Sequence, residues 1–119
     1  MMTILKKPSR ETDKNYLGWI RNQPEWRCVI TDRPESDACH MTSKGAGGSD
    51  YMVFPLVHEL HMRIDHGLRG EAWNVKEHRL RVELSYWYYS LRDIHRRYFD
   101  QCSPKKQEKL LETKTFGGY

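Results

Sequence analysis

The stretch that decides the fold reads Asp37-Ala38-Cys39-His40-Met41, then Ser43-Lys44-Gly45-Ala46-Gly47-Gly48-Ser49-Asp50, then Tyr51-Met52-Val53-Phe54-Pro55-Leu56, and finally His58-Glu59-Leu60-His61-Met62-Arg63-Ile64-Asp65. The middle part carries three glycines in eight residues and reads as a loop. After it, Tyr51-Met52-Val53-Phe54 is a short apolar run that Pro55 is expected to terminate. From about Leu56 the period changes: Leu56, Leu60 and Ile64 recur every fourth residue and would face a core as one side of a helix. Gly67 and Gly70 stand where that helix should end. Upstream, residues 27–30 read as a short strand, residues 31–34 as turn chemistry, and residues 37–41 as the returning strand of a hairpin.

Outward from this centre the rest is simpler. Residues 1–14 are polar and charged and are expected to form a flexible N-terminal arm. Tyr16, Leu17, Trp19 and Ile20 form an apolar cluster before Pro24, expected as a short helix docked on the core. Leu80, Leu84, Trp87, Leu91, Ile94 and Tyr98 are spaced 4, 3, 4, 3 and 4, a sustained stripe that predicts a long helix over about 75–100. Ser103-Pro104 should break it, leaving a charged tail with a short helix.

Composition narrows the classes. At 119 residues, with 38% hydrophobic and 30% charged side chains, the chain supports a modest core under a solvated surface. No run of 18 apolar residues predicts a membrane helix, and the first ten residues lack the apolar segment of a secretory signal. Cys28, Cys39 and Cys102 are odd in number and widely spaced, which argues against a disulfide scaffold and for a reducing cytoplasm. The net charge of +4 permits a polyanionic partner without requiring one. Most of the excess follows residue 70, where 10 basic side chains face 7 acidic ones.

The polar residues of the deciding stretch are the candidates for chemistry. His58, His61 and Asp65 follow one another at spacings of three and four, about one helical turn, so His61 and Asp65 could share a divalent cation or simply form an exposed hydrogen bond. The run His58-Glu59-Leu60-His61 is not a zinc-protease motif, because Met62 occupies the place of the second histidine. Lys44 in the glycine loop, His58 one turn before His61, and Arg63 and Arg69 near the His61–Asp65 face could meet backbone phosphates or merely be solvated. Later in the chain, Arg92, Arg96 and Arg97 with Lys105, Lys106 and Lys109 form the densest basic patch. Tyr86, Trp87, Tyr88 and Tyr89 could stack on bases, although the spacing of Trp87 with Leu84 and Leu91 favours the core, and the tyrosines equally suit a homodimer surface.

The order of these pieces resembles the HNH, or ββα-metal, nuclease superfamily. It is most similar to small phage and prophage nuclease-like recombination proteins. The matching segments are residues 16–21, 37–40, 49–51, 55–56 and 61–67, which span about residues 15–70, near half the chain.

The resemblance implies an α+β fold: a small ββα-metal core over 15–70, a short N-terminal helix, and a long C-terminal helix in a helical extension over 71–119. It implies that His40 is the general base that takes a proton from the attacking water, and that Asp50 braces the loop where the family usually has Asn. His61 takes the first ligand place on the helix and Asp65 the second. Cys39 stands where a metal-binding Asp or His is usual; it is either a thiolate ligand or a small buried residue. Val57 replaces a cysteine common in related domains, so a structural zinc knuckle is not expected. The implied activity is metal-dependent hydrolysis of DNA phosphodiesters by an endonuclease or nickase. One divalent cation would serve it, Mg²⁺ or Mn²⁺ ahead of Zn²⁺ or Ni²⁺. The alternative is a weakly active or inactive nuclease-like DNA-binding accessory in phage recombination. Either implies DNA as partner (duplex, single-stranded or branched), a host or phage recombination protein as a further one, no membrane, and the cytoplasm of an infected or lysogenic bacterium.

Overall fold

The computed structural model describes residues 10–42, 47–65 and 73–117, the side chains of 63–65 and 73–79 excepted. It is a small α+β protein whose elements run α1 (Lys14–Ile20), β1 (Asp37–His40), β2 (Val53–Leu56), α2 (His58–Asp65), α3 (Trp73–Gln101), α4 (Pro104–Leu111) and α5 (Lys114–Gly117).

The two strands pair antiparallel, with Asp37 opposite Leu56, Ala38 opposite Pro55, Cys39 opposite Phe54 and His40 opposite Val53. This corrects the expected hairpin. Residues 27–30 are not a strand. They belong to a tight turn in which Cys28 N–H donates to Arg33 O (2.9 Å), Asp32 N–H donates to Cys28 O (2.8 Å), and Asp32 takes the left-handed conformation. The partner of β1 is the run in which Pro55 was read as a terminator.

Pro55 sits inside β2 because its missing donor is not needed there. In a strand, the N–H and C=O of one residue point to the same side. The Pro55 carbonyl accepts from Val29 N–H at 3.1 Å, and so points away from β1. The proline nitrogen therefore faces the 27–30 segment, at a non-hydrogen-bonded pair of the ladder. Two residues earlier, the Val53 carbonyl points the same way and accepts from Trp87 Nε1–H at 2.9 Å, which ties the sheet to α3.

The helices follow the sequence periodicities more closely. Asp13 caps α1, its side chain accepting from Tyr16 N–H. The α3 stripe packs as expected: Trp87, Leu91, Ile94 and Tyr98 are buried, Leu80 nearly so, and Leu84 lies half-covered against them. Ser103 ends α3 and also caps α4, accepting from Lys106 N–H, with Pro104 at the first helical position. Tyr16, Ile20, Val53, Leu56, Leu91, Ile94 and Leu110 are the most deeply buried apolar side chains, so α1, β2, α3 and α4 share one core.

The N-terminal segment differs from the expected flexible arm over residues 10–13. Glu11 accepts from Ser49 Oγ, Thr115 Oγ1 and Lys114 N–H, and its carbonyl accepts from Asp50 N–H. These bonds thread the segment between the loop before β2 and α5. Residues 1–9 lie outside the described residues. No helix among the described residues is long and apolar enough to cross a membrane.

Candidate functional site

His40 ends β1 and its ring is held by one partner. Its Nε2 lies 2.9 Å from Asp50 Oδ1, and since a carboxylate only accepts, Nε2 carries the proton of that bond. In the neutral ring the lone pair is then on Nδ1. Asp50 is itself fixed on three sides: Arg10 donates to Oδ1 at 2.7 Å, Asp13 N–H donates to Oδ2 at 2.9 Å, and Asp50 N–H donates to Glu11 O. Burial pushes the Asp50 carboxyl up, but the hydrogen bonds from His40, Asp13 and Arg10 and the Arg10 charge outweigh it, so it stays ionised below the usual carboxylate range. Arg10 also donates to Gly48 O at 3.1 Å, which pins the end of the glycine loop.

A second constellation forms at the other end of the ladder. His58 and His61 lie three residues apart at the start of α2. Both turn Nδ1 toward a single oxygen, Asp37 Oδ2, at 2.7 and 3.0 Å. Antiparallel pairing makes this meeting, because Asp37 stands opposite Leu56, two residues before His58. Partial burial raises the Asp37 carboxyl, yet the two histidine bonds overcome that and hold it low. An imidazole held by a carboxylate through one nitrogen presents the other outward, which is the arrangement around metal-binding histidines. Among the described residues, however, no three His, Cys, Asp or Glu side chains are disposed to hold one ion.

Three residues separate Asp37 from His40, so the two constellations stand roughly 10 Å apart along the strand. His40 is braced by Asp50 and His61 by Asp37. Cys39, between them, is buried in the core, 3% exposed. Asp65 and Arg63 are on α2, but their side chains lie outside the described residues, as do Lys44 and Arg69 altogether.

The basic residues of the second half separate. Arg97 is occupied within the fold, donating to Glu25 Oε2 and to Gln23 Oε1, with Asp93 beside it. Lys106 is also occupied, 2.9 Å from Asp13 Oδ2. Arg92 and Arg96 stay exposed on α3.

Two members of the site escaped the sequence reading. Arg10 acts on a residue 40 positions away, and no local pattern marks it. Asp37 was visible only as a strand end; the correct register would have set it against the start of α2. Comparison with protein-family models, curated proteins and solved structures finds no match for this chain.

Proposed function

We propose that the protein is a metal-dependent DNA endonuclease or nickase of the HNH type. The observation that carries the reading is the His40–Asp50 pair. It is a histidine at the end of a hairpin strand, oriented by a carboxylate that Arg10 and the Asp13 amide hold in place, with a histidine-bearing helix directly after the hairpin. An imidazole with one nitrogen fixed by a carboxylate carries its lone pair on the other and can act as a base toward water. Asp50 would keep the ring in the productive tautomer and favour the imidazolium that forms. His61, with Asp65 one turn on, would hold the cation, and Asp37 would orient His61 from behind. A bound divalent cation would supply charge stabilisation for the phosphate and the leaving oxygen.

The test is a supercoiled-plasmid assay in Mg²⁺, Mn²⁺ or EDTA with wild type, His40→Ala, His61→Ala and Asp50→Asn. The expected result is nicking that needs metal and vanishes in the two alanine variants. Asp50→Asn keeps an oxygen acceptor for the His40 ring, as the family's usual Asn does, and should retain more activity than either alanine variant. Nicking that persists in His40→Ala overturns the assignment. A retarded DNA band with no nicking by wild type moves the reading to a DNA-binding accessory.

A further inference from the structure

The outer face of α3 sorts its side chains by chemistry. At about 100° per residue, positions 81, 85, 88, 89, 92 and 96 share one side of the helix, opposite the stripe that enters the core. That side carries Arg81, Ser85, Tyr88, Tyr89, Arg92 and Arg96, all exposed, and not one acid. The acidic side chains of the same stretch, Glu83 and Asp93, lie off this strip; Asp93 is turned to Arg97. Exposure is high for aromatic rings: 71% for Tyr89 and 46% for Tyr88, while Trp87 between the neighbouring turns is 5% exposed. Neither Arg92 nor Arg96 has an ion-pair partner among the described residues.

A helix face made for a second copy of the chain would need apolar residues recurring along it. On this strip Arg92 stands four residues after Tyr88 and three after Tyr89, and Arg96 follows one turn later. Two exposed rings followed by two arginines, over roughly 12 Å of helix, suit a polymer that carries both bases and phosphates. Every base offers a face for stacking, and Arg answers phosphate. Duplex DNA hides its base faces, so the tyrosines would be idle on it.

We infer that the Tyr88–Tyr89–Arg92–Arg96 strip of α3 is a binding surface for single-stranded DNA. The choice of DNA over RNA rests on the nuclease reading; the stacking and phosphate contacts do not. The strip belongs to α3, whereas His40, Asp37 and His61 lie on the hairpin and α2, so binding and hydrolysis can be lost separately.

The experiment is fluorescence anisotropy of labelled oligo(dT), oligo(rU) and a duplex of equal length, in EDTA so that no cleavage intervenes. The proteins are wild type, Tyr88→Ser/Tyr89→Ser, Tyr88→Phe/Tyr89→Phe and Arg92→Gln/Arg96→Gln. Oligo(dT) is expected to bind best. The serine pair should weaken it at least tenfold, and the phenylalanine pair should restore it, since stacking needs the ring and not the hydroxyl. The glutamine pair should lower the slope of log affinity against log salt by about 0.7 for each arginine removed.

Equal binding of duplex, preference for oligo(rU), or indifference to the serine pair would each overturn the proposal. So would a wild-type dimer in sedimentation that the serine pair dissociates. Loss of oligo(dT) binding in the serine pair with plasmid nicking intact would support the strip as a separate site. Oligo(dT) binding in a wild type that never nicks would refute the nuclease reading and leave the strip standing.

Discussion

Asp13 shows how one side chain can hold several elements. It is 2% exposed, yet Tyr16 N–H, Tyr51 Oη, Tyr98 Oη and Lys106 Nζ all reach its two oxygens. Burial alone would raise its carboxyl, but these partners outweigh it and keep it ionised. The same carboxylate pushes the Tyr51 and Tyr98 hydroxyls up, in addition to their burial, so both stay protonated as donors. Asp13→Ala removes the acceptor and strands these donors, and should cost about 3 to 5 kcal/mol, the range for breaking a buried ionic contact from one side. Tyr98→Phe deletes one donor and leaves the charge paired, and should cost roughly 1.5 to 3 kcal/mol. Urea unfolding of both variants checks the order; no loss in Tyr98→Phe beside about 1 kcal/mol in Asp13→Ala would mean that Asp13 acts as a helix cap alone.

Within α3 the two faces should respond oppositely to truncation. Ile94 is fully buried, whereas Tyr89 is 71% exposed. Ile94→Ala should destabilise by about 2 to 5 kcal/mol through lost burial and an unfilled cavity. Tyr89→Ala should stay within about 0.5 kcal/mol. Denaturant midpoints with an unchanged slope decide this. A large loss at Tyr89 would show that its ring is structural, and would remove the basis for reading the outer face as a binding surface.

At the scale of the whole molecule, four carboxyls and one histidine share a direction. Burial pushes the His95 ring below its ordinary value of 6.5, against the opposing pull of its bond to Tyr51 O and the Glu11 charge. Hydrogen bonds hold Glu11, Asp13, Asp37 and Asp50 below theirs despite burial. For all five the folded value lies under the unfolded one. Their contribution is complete above the unfolded values and is lost as pH falls, because the unfolded chain then binds more protons. The thermal midpoint should therefore decline in two stages, first below pH 6.5 as His95 is forced to charge, then below the ordinary carboxylate values of 3.8 to 4.5. His95→Gln should remove the first stage and leave the second. A midpoint flat from pH 7 to 4.5 in the wild type would refute the part assigned to His95.

What the sequence determined by itself was local. The 4-3-4-3-4 spacing of α3, the apolar cluster of α1, and the break and restart at Ser103-Pro104 all depend on residues within one or two turns, where periodicity and capping act directly. So did the assignment of Trp87 to the core. Only the tertiary structure decided which strand pairs with β1. Residues 27–30 and 53–56 are both short apolar runs, and local propensity cannot choose between them. The choice came from the outward-facing Pro55 carbonyl, which takes the 27–30 segment as an edge cover instead of a strand. The candidate site divides the same way. His40, Asp50 and His61 stood out as residue types in order, but Asp37 was recruited by register and Arg10 by a contact across 40 positions. Strand register and long-range ion pairs are selected by the free energy of the assembled core, and no window of sequence contains that sum.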